Sequence, residues 1–233
     1  MALPKISLPT FDLTIPSTKE EVKARPFLVK EEKILLMAQQ SGEEKDVINA
    51  VNQVIHNCIV TEGVDVTKFS TFDVEYVFLK LRSKSVNNIV ELSYRDNEDD
   101  KVYDFKVNLD EIEVKFDPNN NTKIEINDTT GLVMKYPNSF TSQKVAKSDN
   151  PEFKLIQLCV DKIYDADNVY SSTDVTEKEL EEFLDNLDMK TFTKIKEFFE
   201  TMPKLYHKIE YKNSLDHDRS IELTSLQDFF TLG

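Results

Sequence analysis

IKEFFETMPKLYHKIEYKN, from Ile195 to Asn213, changes period in the middle. Up to Met202, Phe192, Ile195, Phe198 and Phe199 recur at helical spacings of three, four and seven. After Pro203 the pattern alternates, with Ile209 and Tyr211 separated by polar residues, as in a half-buried strand. Proline disfavours helical geometry in the residue before it, so Pro203 ends the helix. The joint is read mainly as core, with docking of a partner as the other use of its aromatic residues.

Working outward, NSLDHD forms a polar tip and RSIEL a return strand, closed by a short helix at SLQDFF. Upstream, VTEKELEEFL carries its own start signal: Thr176 as N-cap, Glu179 completing a capping box, and Val175 with Leu180 as a hydrophobic staple. Phe153, Leu155, Ile156, Leu158, Cys159, Ile163 and Tyr164 are expected on one helix. The same order of helix, strand, polar tip and strand occurs earlier, in VFLKLRSKSVNNIVELSYRDNEDDKVYDFKVNL. It suggests two helix–hairpin units, one in each half.

The first part opens with a hairpin, alternating from Ile6 to Ile15 and returning over VKARPFLV. Helices follow from Lys30 to a stop at Ser41-Gly42, over 44–60, and over 70–84. The last is apolar on more than one side and is expected to be central. Short strands IEVKF, TKIEI and GLVMKYP come next, and the polar stretch 142–151 is the expected boundary. The fold class expected is α+β: an N-terminal lobe, 1–141, of hairpin, helices and small antiparallel sheet, then a mainly helical lobe, 142–233, ending in a β-hairpin.

With 233 residues and 39% hydrophobic side chains, the chain can bury a sizeable core. Its net charge of −14 opposes binding to nucleic acid or to anionic lipid, both of which need clustered lysine and arginine. The start shows no basic region leading into an apolar one, and no run is long enough to span a membrane. Cys58 and Cys159 sit in apolar patterns with no metal or redox spacing and read as buried free thiols, which fits a reducing cytoplasm.

Chemistry-bearing motifs are absent. The four glycines are too scattered for a phosphate-cradling loop. DADNVYSSTDVTE fails as a calcium loop, with Val169 and Tyr170 where an oxygen ligand and a glycine belong. His56 lies beside an apolar helix face and reads as a core or boundary residue. His207 and His217 with Asp216 and Asp218 are the only metal-like grouping, and a solvated turn explains them better. No catalytic, cofactor or metal residue is therefore assigned, and no small-molecule substrate is expected. Candidate docking residues are Glu98, Asp99 and Asp100 in the acidic tip RDNEDD, Arg25 and Phe27, and Phe229 with Phe230. Two adjacent phenylalanines do not share one helix face, so one of that last pair meets a partner or folds back.

The stretches MALPKISLPTFDLTIPSTKEEVKARPFLVKEEKILLMA and EFFETMPKLYHKIEYKNSLDHDRSIELTSLQDFF resemble the baseplate hub protein family of T4-like contractile-tailed bacteriophages. RPFLVKEEK and FFETMPKL are the most specific cores; the middle strands match only in type. The resemblance implies a hub subunit or hub assembly factor, partnered by other tail proteins. It implies no enzymatic activity, and places the chain in the host cytoplasm during assembly and in the tail baseplate if retained. Some relatives carry cysteine pairs at the two hairpin tips, like zinc knuckles. RDNEDD and NSLDHD stand there in this chain, which removes that metal reading. The expected function is thus structural, by protein–protein contact. A transient assembly chaperone absent from the virion is the alternative, and a metal-dependent hydrolase using His207 and His217 the remote one.

Overall fold

The computed structural model describes residues 8–229. The opening hairpin forms as β1 (Phe11–Thr14) and β2 (Glu21–Ala24), followed by α1 (Val29–Ser41), α2 (Glu44–Cys58) and α3 (Thr71–Ser85). Gly42 ends α1 at φ 71°, the left-handed geometry that a glycine adopts without a Cβ penalty. Ser70 and Asp73 cap α3 reciprocally. The hairpin β3 (Ile89–Arg95) and β4 (Val102–Asn108) comes next, then the short strand β5 (Glu113–Lys115).

The chain divides into two units at places other than 142–151. One comprises Met1–Lys115 with Lys204–Gly233; the other is Phe116–Pro203. The second is therefore an insertion. The chain leaves the first unit after Lys115 and re-enters at Lys204, and these two residues are register partners. β10 (Lys204–Lys212) pairs with β5 on its first residues and with β11 (Asp218–Leu223) on the rest, giving the order β11-β10-β5. The stretch Ile195–Asn213 thus contains the border between units.

In the first unit α3 is the central element. Val77, Phe78 and Leu81 pack into one apolar cluster with β1, β2 and α2, while Leu79 packs into another with β3, β4 and β10. Lys80 is buried on the same helix, where its ammonium donates to the carbonyl of Asp110 at 2.7 Å and lies 3.6 Å from Glu113. Burial pushes its pKa down, against the pull of those carboxylates.

The second unit holds β6 (Lys123–Glu125), β7 (Gly131–Met134), α4 (Ser139–Val145), α5 (Pro151–Cys159), β8 (Val160–Tyr164), β9 (Val169–Ser171), α6 (Glu177–Asp185) and α7 (Met189–Glu200). Its strands form an antiparallel sheet in the order β6-β7-β8-β9. The core beneath is built by Leu132, Ile156, Cys159, Leu180, Ile195 and Phe198. The capping box at Thr176 and Glu179 forms as its spacing predicts. Burial pushes the Cys58 thiol up to about 11 and the Cys159 thiol up to about 12, so both are inert at neutral pH.

Three expectations change. Ile163 and Tyr164 are not helical: α5 stops at Cys159, and β8 continues directly as a strand between β7 and β9. That apolar run suits either period, and the neighbouring strand decides it. The stretch 142–151 carries part of α4 and the start of α5, inside the second unit. Finally, the two helix–hairpin units do not repeat in space, because α7 belongs to the second unit while β10 and β11 belong to the first.

Gly131 shows how tightly the inserted sheet is built. A Cβ placed there would meet the Tyr164 hydroxyl and lie 2.6 Å from the carbonyl oxygen of Ile124, a backbone atom that cannot rotate away. Gly131→Ala is expected to destabilise the protein by about 1–3 kcal/mol, measured as a lowered urea midpoint at unchanged m-value. An unchanged midpoint would mean that β7 is less constrained than this packing requires.

Candidate functional site

The two polar tips expected as separate solvated turns meet in the first unit. Both are built alike. Asp96 and Asn213 open them, and their side-chain oxygens accept from backbone N–H groups inside their own turns, Glu98 at 2.7 Å and Leu215 at 3.0 Å. Asp100 and Asp216 both take a left-handed backbone, at φ 58° and 59°. Aspartate tolerates that region better than most residues, which explains its recurrence.

Between the tips the polar groups are complementary. Asp96 accepts from the Tyr211 hydroxyl at 2.5 Å and from Arg219 Nε at 3.0 Å. Glu98 meets Asn213 Nδ2 at 2.7 Å and His217 Nδ1 at 2.8 Å, with Arg219 at 3.4 Å. Asp99 accepts from the Ser214 amide at 2.9 Å and from the Tyr103 hydroxyl at 2.5 Å. Tyr211 stands at the centre, its ring 5.0 Å from Tyr103 and 5.1 Å from Phe105.

The hydrogen bond from Tyr211 holds the Asp96 carboxyl below the usual range. Asp99 is also held well below it: burial opposes this, but the bonds from Tyr103, Ser214 and Lys101 prevail. Each of these carboxylates is already occupied by donors, so the arrangement acts as a clasp that fixes two hairpins. Among the described residues no group of three or more His, Cys, Asp or Glu is placed to hold a metal ion. His56 is exposed.

The other expected docking residues go inward. Arg25 reaches Glu31 at 3.0 Å and the Asn57 carbonyl at 2.8 Å, tying β2, α1 and α2 together. Glu31 is fully buried. Burial raises its pKa, but Arg25 and the Leu28 amide outweigh that and keep it below the usual range. Phe27 stacks on Phe78 with ring centroids 6.5 Å apart, and Phe229 folds back, 1% exposed, into the cluster around Leu79. Burial leaves both rings to the core. Phe230 lies outside the described residues. Of the acidic tip, Asp100 turns outward, 83% exposed beside Arg95.

The sequence reading missed a lysine-lined cleft beside Phe140 in the second unit. Its signal is in the sequence: Phe140, Lys144 and Lys147 stand at helical spacing, the two lysines inside the polar stretch 142–151 expected as the boundary.

Three tests address these interactions. Tyr211→Phe removes the hydroxyl from Asp96 while keeping the ring. Amide exchange over 213–217 is expected to quicken about tenfold or more, with α2 and α3 unchanged; equal exchange would show that the clasp does not hold the tips. Because the Asp96 and Asp99 carboxyls are depressed, the stability they give is present above about pH 4 and is lost as pH falls through their folded values below that. The wild type should therefore lose stability more steeply than Asp96→Asn under acid titration. Arg25→Ala leaves the buried Glu31 carboxylate only the exposed Lys30, 3.5 Å away, and the Leu28 amide, and is expected to cost about 3 kcal/mol, read from chemical denaturation; a loss below about 1 kcal/mol, the range of exposed ion pairs, would mean that Lys30 or solvent compensates Glu31.

A family model described as T4 bacteriophage base plate protein matches residues 8–231, nearly the whole chain. No curated protein and no solved structure matches it. The match spans both units, insertion included, and the chain belongs to the T4 bacteriophage base plate protein family.

Proposed function

We propose that the protein is a structural component of the baseplate hub and works by protein–protein contact rather than catalysis. The observation that carries this reading is the family match over 8–231. The refinement to the hub rests on the likeness of RPFLVKEEK and FFETMPKL to hub proteins. The chemistry of the two tips supports the structural role, since their carboxylates are consumed by partners within the chain. Among the described residues no helix is long and apolar enough to cross a membrane.

Contact surfaces are on offer. On α1, Val29 and Met37 are 74% and 71% exposed, and they lie on the face opposite the buried Glu31 and Ala38. Exposed apolar side chains at helical spacing are what a partner helix or sheet covers. Other tail proteins are the proposed partners, with assembly in the host cytoplasm and final placement in the tail baseplate. From the acidic tip, Asp100 is the residue positioned to take part.

Quantitative mass spectrometry of purified virions beside infected-cell lysate tests the proposal. A fixed, low copy number in finished particles is expected. Abundance in lysate with absence from particles would replace the subunit reading by that of an assembly factor that departs.

A further inference from the structure

The second unit carries a cleft that the tips and the core do not use. It encloses about 410 Å³ between α4, α5 and the loop 172–176. Phe140 stands at its mouth, 60% exposed, with Lys144 Nζ 4.6 Å from the ring centroid. Lys135 and Lys154 line the same cleft. A second hollow, also of about 410 Å³, continues past Lys144 and Lys154 to Lys147 and Phe153.

The charges here are out of balance with the rest of the molecule. The chain carries 43 acidic against 29 basic residues, yet this cleft is lined by three lysines against the single carboxylate of Glu177. Lys154 has Glu177 and Lys196 has Glu152. Lys135 instead reaches the Ser172 hydroxyl at 3.4 Å, and Lys144 lies over a ring. No carboxylate lies within ion-pair distance of Lys135, Lys144 or Lys147 among the described residues. Glu177 is held by Lys154 and also feels Lys144, yet the cleft keeps an excess of positive charge at Lys135 and Lys144 beside Phe140, which an anionic occupant neutralises.

The occupant can be narrowed. Nucleic acid would bring many phosphates past the α6 wall, where Glu181 and Asp185 line the second hollow. A polyphosphate backbone is repelled there and by the net charge of −14. A short segment with a few carboxylates and an apolar or aromatic side chain meets the lysines and Phe140 together without crossing the acidic wall. We propose that this cleft is the docking site for an acidic, aromatic-bearing segment of a partner protein. The proposal deepens the structural reading above and rests on it for the partner's being a tail protein.

The test uses the full chain and a dye-labelled peptide of glutamates around a central phenylalanine, followed by fluorescence anisotropy. Binding is expected, weakening with added salt, with none for the matching lysine peptide. Lys144→Glu with Lys147→Glu is expected to weaken it about tenfold or more, the corresponding glutamine pair less, and Phe140→Ala comparably. All these side chains are exposed, and unchanged thermal midpoints check that the variants fold. The proposal is overturned if the wild type does not bind or if the variants bind as well as the wild type. It is equally overturned if single-stranded DNA binds as tightly as the peptide. Self-association of the wild type that vanishes in the glutamate pair would also overturn it, by making a second copy the occupant. The virion measurement stays independent. A chain present in particles without peptide binding refutes the cleft alone; a chain missing from particles with peptide binding intact refutes the subunit reading alone.

Discussion

The antiparallel pairing of β5 with β10 is the constraint on which the rest of the first unit depends. Three register pairs, Lys204 with Lys115, Leu205 with Val114 and Tyr206 with Glu113, bring together residues separated by the whole inserted unit. Closing a loop of that length from unfolded chain costs roughly 4 kcal/mol. Leu205 offsets part of this cost, about 1.5–3 kcal/mol, since it is fully buried in the cluster with Leu79, Ile112 and Leu223. The insertion carries its own core around Phe198 and Ile195. Once that core forms, its ends are no longer free, and the effective loop is shorter.

From this pairing follows the place of the second hairpin. β10 runs on from β5 and its far end carries Tyr211 to the first hairpin's tip. A strand of nine residues is long enough to join the core at Leu205 and the clasp at Tyr211 without a break. The clasp in turn explains the acidic tip. Asp96 and Asp99 are attractive as partner-facing charges in the sequence alone, yet donors from the other hairpin satisfy them. Buried or half-buried carboxylates need such donors, because an unpaired charge in that position is costly.

The molecule thus spends its conspicuous charges internally and leaves an inconspicuous set exposed. Arg25 with Glu31 and the two tips are structural. Lys135 and Lys144 beside Phe140 are not absorbed in this way, and they stand out only against a chain that is otherwise acidic. In this base plate family protein, that difference separates charges that hold the fold from those left for the proposed docking.

The sequence by itself determined what local chemistry controls. The Ser41-Gly42 stop, the Thr176–Glu179 capping box, the helix end before Pro203 and both long hairpins are set within a few residues, by φ preference, side-chain capping and period. The burial of α3 on several sides was legible for the same reason, since its apolar residues cover more than one face. Tertiary structure decided what depends on distant partners. Ile163 and Tyr164 became a strand because β7 and β9 flank them, although their apolar spacing permits a helix. The border between units fell inside Ile195–Asn213, because Val114 waits to pair with Leu205, and no window of sequence contains both. Phe27 and Phe229 were candidates for docking until the fold supplied Phe78 and the cluster around Leu79 to cover them. The two tips lie more than a hundred positions apart in the chain, and only the closed fold brings Asp96 to Tyr211.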